Sequence, residues 1–261
     1  MLDLQQWQLL YEDGPCLVVF KPAGLLTQAP PGIDNLELRV KRFLQQREGK
    51  THNLYLAVVH RLDRPVSGAL VMARHVRAAQ RLAAQFEERT VRKHYWAIVE
   101  GHLAAGQDAG TWVDWLRKVP GEARSEVVAE SHPEGQQAIL HYRVRDRGWH
   151  AGRAYSWLEI ELETGRTHQI RLQAAHHGHP LWGDELYGSR SGFGPATDDT
   201  RARWIALHAR FLEFRHPMQQ QTVSITAPLT AVWHQFLPAR EVERMAGDEV
   251  VVVARSGEHR F

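Results

Sequence analysis

Apolar and polar positions alternate along the chain in patterns that predict both strands and helices. The runs "CLVVFK", "ALVMA" and "HYWAIVEG" are typical of buried strands, and "LELRVKRFLQQREG" is typical of a helix. A second helix is predicted after "ALVMA". The residues expected to share its buried face are Val76, Ala79, Ala83 and Phe86.

The second half of the chain favours sheet. "ILHYRVR" and "SWLEIELE" are predicted strands, and in the latter Leu158 and Ile160 are expected to face the core while Trp157 faces solvent. "RTHQIRLQAAHHG" predicts a short helix ended by Gly178, and "ARFLEFRHP" and "TVSITAP" predict late strands. The predicted fold class is α+β, a mixed, largely antiparallel sheet flanked by helices. Residues 104–130 receive no element, and 188–201 are expected to form a flexible loop.

Composition places the chain among ordinary globular proteins. It has 261 residues, 43% hydrophobic and 24% charged, and no segment reaches the roughly 18 uninterrupted apolar residues of a membrane span. The N-terminus lacks the pattern of a secretory leader, and the single cysteine, Cys16, lies in a predicted buried strand. These features predict a cytoplasmic protein with no membrane partner.

Charge alone does not identify a partner, because the net charge is only +2 with histidine neutral. Arginine and lysine are nevertheless concentrated between Arg74 and Lys93. That segment is either a solvated helix face or a surface that binds nucleic acid.

Two segments concentrate candidate chemistry. In "HRLDRPVSG", Asp63 is either a turn residue that accepts backbone hydrogen bonds or a catalytic carboxylate, and His60 lies three residues before it. In "LETGRTHQIRLQAAHHG", the hydrogen-bonding side chains are denser than a core helix requires, which is typical of a ligand site. The candidates there include Arg166, Thr167 and His168.

These segments resemble the pseudouridine synthases typified by the large-ribosomal-subunit enzyme A. The resemblance covers "VVFKPAGLLTQ", "HRLDRPVSGALVMA", "RKHYWAIVEG", "LETGRTHQIRLQAAHHGHPLWGDELYG" and "IALHARFLEFRHP", in family order. One position departs from the family pattern, since Val66 stands where a threonine usually precedes the serine and glycine of the acid motif.

The resemblance implies a role for each matching residue. Asp63 would be the catalytic carboxylate, Tyr95 would pack against the target base, and Arg171 would pair with the acid and keep it ionised. Ile170 would line the uracil pocket, and Arg61 would enter the space left by the flipped nucleotide. His60, Arg166, Thr167 and His168 complete the predicted substrate-binding set.

The implied function is isomerisation of specific uridines to pseudouridine in structured RNA, either ribosomal or transfer RNA. The reaction involves no net redox change and no group transfer to a second molecule, so no cofactor or metal is expected. We expect a catalytic domain over residues 1–235, a C-terminal extension over 236–261, and no separate N-terminal RNA-binding domain. A monomer without an obligatory protein partner is predicted.

Two other functions stay open at this point. The segment "AAHHGHP" supplies His176, His177 and His179, which a metal-dependent hydrolase could use, although their spacing is poor for a single metal ion. The other alternative is a non-catalytic RNA-binding protein with the same fold. Metal analysis would test the first, and an activity assay on unmodified RNA would test the second.

Overall fold

The computed structural model describes residues 6–219, 221–246 and 252–256. These residues form two compact units. The first unit contains residues 6–93, 209–219, 221–229 and 252–256. The second contains His94–His208 and the residues from Thr230 to 246.

The first unit is a sheet with two helices. Strands β1, β2, β4 and β10 are neighbours in that order, β3 also pairs with β4, β11 pairs with β10 and β12 pairs with β11. The elements are β1 Gln8–Asp13, β2 Cys16–Lys21, α1 Leu36–Glu48, β3 Ala57–Val58, β4 Ser67–Ala73, α2 Val76–Glu87, β10 Leu207–Arg215, β11 Gln221–Thr226 and β12 Val252–Ser256.

Strands β2 and β4 form the centre of this unit because every residue in both is buried. Gly68 permits an unusually close approach of β4 to β10. Its φ is 129°, and a Cβ placed on it would lie 2.4 Å from the carbonyl oxygen of Ala209. No side chain fits at this position, which leads directly out of the turn that carries Asp63.

The second unit is built on a five-stranded sheet in the order β5-β9-β8-β6-β7. Its neighbouring strands pair antiparallel. The elements are β5 Arg92–Glu100, β6 Ala109–Lys118, β7 Ser125–Val128, β8 Gln136–His150, β9 Arg153–Leu162, α3 Gln169–His176, α4 Ala239–Ala246 and the 3₁₀ helices Glu185–Tyr187 and Ala231–Gln235.

The mixed, largely antiparallel α+β architecture predicted from the sequence is confirmed, but two face assignments are wrong. Val76 is 51% exposed because it occupies the first turn of α2, and the buried residues of that helix are Ala78, Ala79 and Leu82. Trp157 is buried rather than exposed. Its ring packs edge-on against Trp96, with centroids 4.6 Å apart, since β9 is covered on both faces at this point.

Residues 104–130, which received no element, contain two strands, whereas residues 188–201 are without regular structure as predicted. Residues 104–130 contain strands β6 and β7, whose interspersed glycines and charges concealed the alternating pattern. Residues 188–201 are irregular, yet the loop is anchored where it begins. The Ser189 hydroxyl donates to Glu100 at 2.7 Å and accepts from the amide of Gly183 at 3.1 Å.

The C-terminal segment supplies β12, which pairs antiparallel with β11 over Val252–Ser256. Residues 247–251 and 257–261 of that segment lie outside the described residues. The boundary expected at residue 235 stays a prediction. None of the helices within the described ranges has both the length and the apolar character needed to cross a membrane.

Candidate active site

Asp63 lies in a tight turn whose backbone is held from both sides. The turn closes with a hydrogen bond from the amide of Val66 to the carbonyl oxygen of Asp63 at 3.1 Å. On one side, the Thr27 hydroxyl donates to the carbonyl of Leu62 at 2.8 Å and accepts from its amide at 3.2 Å. On the other side, the Gly24 amide donates to the carbonyl of Arg64 at 2.8 Å. The segment "KPAGLLT" therefore clamps the Asp63 turn, and the half-buried carboxylate projects from a constrained backbone.

Lys21 is the third element of this clamp. Its ammonium group is fully buried and donates to the carbonyl oxygens of Pro22, Leu25 and Arg64 at 3.0, 2.7 and 3.2 Å. Burial lowers the pKa of Lys21 to about 7, while the negative charge of Asp63 acts in the opposite direction. A lysine with a pKa near neutrality beside the candidate catalytic acid was missed by the sequence analysis, although "FKPAG" was part of the resemblance.

The two neighbours of Asp63 in the predicted set differ in their surroundings. His60 is packed against the protein, because its Nε2 accepts from the amide of Val71 at 3.0 Å and its ring stacks on Phe86 with centroids 4.5 Å apart. Burial, with a smaller contribution from Lys93, lowers the pKa of His60 to about 3. Arg61, by contrast, is exposed.

Tyr95 and Ile170 belong to the second unit and are both buried. Tyr95 lies on β5, where it pairs with Ile160 of β9 in the antiparallel register. Ile170 lies in the first turn of α3, a helix whose residues from Gln169 to Ala174 are all buried. Polar side chains in this helix consequently need partners inside the protein.

The loop of residues 163–168, which we call the α3 loop, is folded around two buried polar side chains. Gln169 accepts from the Thr164 hydroxyl and from the Arg166 amide, both at 2.9 Å, and donates to the carbonyl of Ile139 at 3.1 Å. Thr164 also accepts from the amide of Ile139 at 2.8 Å. Arg166 donates through Nε to the carbonyl of Gln137 at 3.0 Å, which holds its side chain along β8.

Arg171 is fixed by a buried ion pair with Asp184. Its Nε and Nη2 donate to the two carboxylate oxygens of Asp184 at 2.6 and 2.8 Å, and both side chains are almost completely buried. The guanidinium also lies over the ring of Tyr187, 5.2 Å from the centroid. A two-pronged pair combined with an aromatic face sets both the position and the plane of the guanidinium.

The hydroxyl of Tyr187 joins the α3 loop to β7. It lies 2.8 Å from Nδ1 of His168 and accepts from the amide of Ser125 at 2.9 Å. The Ser125 hydroxyl in turn donates to the carbonyl of Thr167 at 3.0 Å, while the side chain of Thr167 is exposed. His168 adopts a left-handed backbone conformation, with φ 57° and ψ 24°, which is uncommon for a residue other than glycine.

Two of the three histidines considered for a metal site, His176 and His177, share Asp114 as a neighbour, with nitrogen–oxygen distances of 3.7 and 3.1 Å. His177 stacks on Trp112 with centroids 4.7 Å apart and lies 3.1 Å from Asp114, and His179 contacts the carbonyl of Glu100 at 3.0 Å. Within the part of the chain that the structure describes, no three histidine, cysteine, aspartate or glutamate side chains are grouped to hold a metal ion.

The sequence analysis also missed Asp184 and Tyr187. Both lie in "GDELYG", which was quoted as part of the resemblance but was given no role. The available signal was the pair of carboxylates that follows Gly183, at Asp184 and Glu185. A buried arginine nearby in sequence requires such a partner.

Several known proteins are similar to this chain in sequence and in fold. Residues 15–176 match the family model described as RNA pseudouridylate synthase. The ribosomal large subunit pseudouridine synthase D of Xylella fastidiosa is 37% identical over 88% of this chain and 68% of its own length, and that of Pseudomonas aeruginosa is 34% identical over 92% and 74%. The matches thus span about two thirds to three quarters of these relatives.

The human RNA pseudouridylate synthase domain containing 1 has a similar fold, with a TM-score of 0.68, 22% identity, and coverage of 95% of this chain and 98% of that one. This likeness agrees with the α+β class of the two units. The family model and the bacterial relatives show that the chain belongs to the RNA pseudouridylate synthase family.

Proposed function

We propose that this chain converts specific uridines of large-subunit ribosomal RNA into pseudouridine, with Asp63 as the catalytic carboxylate. The observation that supports the role of Asp63 is the clamp on its turn. Four hydrogen bonds to the peptide groups of Leu62 and Arg64 fix the residues on either side of the acid. A turn aspartate with only a structural role would not need such support for its neighbours.

The proposed RNA class rests on the names of the relatives, which are ribosomal large subunit pseudouridine synthases. Transfer RNA is the second candidate from the sequence analysis. Mapping of pseudouridines in ribosomal and transfer RNA from cells with and without the gene would distinguish them. Loss of a modification only from transfer RNA would overturn the ribosomal assignment. A cytoplasmic location remains part of the proposal.

The reaction balances without a cofactor. The bond between C1′ of the ribose and N1 of uracil breaks, the detached base turns, a bond forms between C1′ and C5, and the C5 proton is lost while N1 gains one. Asp63 acts on this centre either as the nucleophile or as the stabiliser of positive character at the sugar. In this proposal Tyr95 and Ile170 offer apolar contacts to the uracil, and Arg171 supplies a permanent positive charge.

The central test replaces Asp63 with asparagine, which nearly preserves shape but removes the charge. We expect Asp63→Asn to abolish pseudouridine formation while RNA affinity stays within a few fold, because phosphate contacts dominate binding. The matched control is Asp198→Asn at an exposed loop position, which should retain full activity. Turnover by Asp63→Asn, once deamidation is excluded by mass spectrometry, would contradict the role of the acid.

A second test addresses Arg171. In Arg171→Met, the acid limb of the pH-rate profile should move to higher pH, because a carboxylate without its cation is protonated more easily. Arg171→Lys should retain more activity than Arg171→Met but less than the parent, since lysine restores charge without the planar fork. An unshifted acid limb in Arg171→Met would show that other groups keep the acid ionised.

A third test concerns base flipping. Arg61 is exposed two residues before Asp63, where it could occupy the space of an extruded nucleotide. Arg61→Ala should reduce activity on a structured stem-loop more than on a short unstructured oligonucleotide. Equal losses on the two substrates would contradict this role. The non-catalytic alternative predicts no pseudouridine from the parent protein on either substrate.

A further inference from the structure

The tip of the β8–β9 hairpin presents an exposed tryptophan. The chain has nine tryptophans, and Trp149 alone is exposed, with 69% of its surface accessible. The other eight are buried or half-buried. An exposed ring of this size on an enzyme that acts on RNA calls for a physical explanation.

The exposure is not a consequence of a loosely packed hairpin. The hairpin turns at Ala151 and Gly152, whose φ values of 47° and 74° are those of the tight turn that matches strand twist. Gly148 lies directly under Tyr155, where a Cβ would come within 2.5 Å of the tyrosine hydroxyl. That hydroxyl donates to the carbonyl of Phe236 at 2.7 Å. The opposite face of the tip is therefore anchored.

The position of the indole is also held. His102 donates through Nε2 to the carbonyl of Gly148 at 3.0 Å, and its ring meets Trp149 edge-on with centroids 5.4 Å apart. On the anchored face, His150 packs against Phe236 with centroids 4.6 Å apart. A platform that is already rigid loses little conformational entropy when a flat ligand stacks on it.

The charge around the tip favours an anionic partner. The segment "RVRDRGWHAGR", residues 143–153, contains four arginines and one aspartate. Arg145 and Arg147 pair with Glu159 and Asp108 at 3.4 and 2.7 Å. Arg153, which faces His150 across the turn, is exposed and forms no ion pair with any acid in the described ranges.

The tip is remote from the α3 loop within the same unit. Strand β9 runs for ten residues from Arg153 at the tip to Leu162, immediately before that loop. At about 3.3 Å per residue this separation is about 30 Å, several nucleotides of extended RNA. A base that reached Trp149 would therefore not be the uridine that contacts Ile170.

We propose that Trp149 is a stacking platform for an unpaired base of the RNA substrate, distinct from the reacting uridine, and that Arg153 binds an adjoining phosphate. Stacking on an aromatic ring tolerates any base, so this contact would add affinity and position the substrate without reading its sequence. The inference rests on the proposed function only in that the ligand is RNA. A protein is the other occupant that such a surface suits, since protein interfaces are also enriched in tryptophan and arginine, and the binding test below separates the two.

The test measures binding of two probes to the full-length chain, a 12-nucleotide single-stranded RNA of mixed sequence and the blunt-ended duplex of the same sequence. Trp149→Ala should raise the Kd for the single strand by about 5- to 100-fold, the range typical of one lost stacked base, and should leave the duplex Kd unchanged. Trp149→Phe should recover most of the affinity. Val113→Ala, an exposed apolar residue of β6 in the same unit, is the control and should have no effect.

Arg153→Gln should weaken binding of both probes and reduce the dependence of Kd on salt. A single-strand Kd that stays within twofold of the parent in Trp149→Ala would overturn the proposal, including the case in which this surface instead meets a protein. Equal losses on single strand and duplex would also overturn it. Because the assay measures binding alone, a failure of the catalytic role of Asp63 would appear only in pseudouridine formation and would leave this result intact.

Discussion

The Asp63 turn and the α3 loop position their functional side chains in different ways. At Asp63, the clamp acts on the backbone, through contacts to the peptide groups of Leu62 and Arg64. At Arg171, side chain holds side chain, with Asp184 on the guanidinium edge and Tyr187 on its face. The backbone clamp does not depend on the identity of the side chain at position 63, because it acts on peptide groups. The side-chain network, by contrast, depends on the identity of every member.

The difference predicts that the α3 region is more sensitive to a single conservative substitution. Asp184→Asn keeps the shape but leaves a buried arginine without its counter-charge, which typically costs about 3–5 kcal/mol. Urea unfolding should show this loss, and the activity that remains should fall through kcat. The control is Glu185→Gln, whose exposed pair with Arg203 should contribute about 0.5 kcal/mol or less. If Asp184→Asn is as stable as the parent, the ion pair does not hold this region together.

At the backbone clamp, Lys21→Met should cost about 1–3 kcal/mol, because buried carbonyl oxygens lose their donor. Its pH dependence provides a sharper test. In the folded chain the pKa of Lys21 is about 7, far below its value in the unfolded chain. Above pH 7 the unfolded state therefore binds more protons than the folded state. The stability of the parent consequently increases as the pH rises above 7. That gain should be missing from Lys21→Met, so the destabilisation should be larger at pH 8.5 than at pH 7. An equal destabilisation at the two pH values would mean that folding does not lower the pKa of Lys21.

The two regions each contain a threonine with comparable contacts, which permits a matched comparison. Thr27→Val should cost about 1 kcal/mol through the lost contacts to Leu62. Thr164→Val should cost about 2 kcal/mol, because Gln169 loses a donor as well. Thr111→Val, at an exposed threonine beside His141, should be nearly neutral and serves as the control. Equal losses of stability in Thr27→Val and Thr164→Val would contradict the difference between the clamp and the network.

The smallest predicted effect concerns His60. Because the pKa of His60 is about 3 in the folded chain, the unfolded state alone binds a proton as pH falls below 6.5, and stability declines over that range. Between pH 7.5 and 5.5 this contributes about 1 kcal/mol of lost stability, which His60→Gln should remove while keeping an acceptor for Val71. The control is His52→Gln, at an exposed histidine. This variant should lose as much stability as the parent over the same pH range. An unaltered pH dependence in His60→Gln would locate the acid sensitivity elsewhere.

The sequence predicted the strands whose apolar runs are long and uninterrupted, such as β2, β4 and β5. It did not predict β6 and β7, because their alternation is broken by glycine and charge. It misplaced Trp157 because β9 alternates along most of its sequence but is covered on both faces over residues 155–158. Asp63, Tyr95 and Arg171 were identified through motif resemblance. Lys21, Asp184 and Tyr187 were not given roles, since their importance lies in contacts across the fold that spacing along the chain does not encode.

His168 combines a left-handed backbone conformation with a ring that contacts the hydroxyl of Tyr187. Its left-handed backbone would be relaxed by glycine, so a search for more thermostable variants would select His168→Gly wherever this relief exceeds the loss of the contact with Tyr187. That replacement would remove the ring that contacts the Tyr187 hydroxyl and would loosen the face on which the Arg171 guanidinium rests. A directed-evolution experiment that selects only for melting temperature would therefore tend to replace His168. One that selects for the yield of modified RNA would retain the histidine.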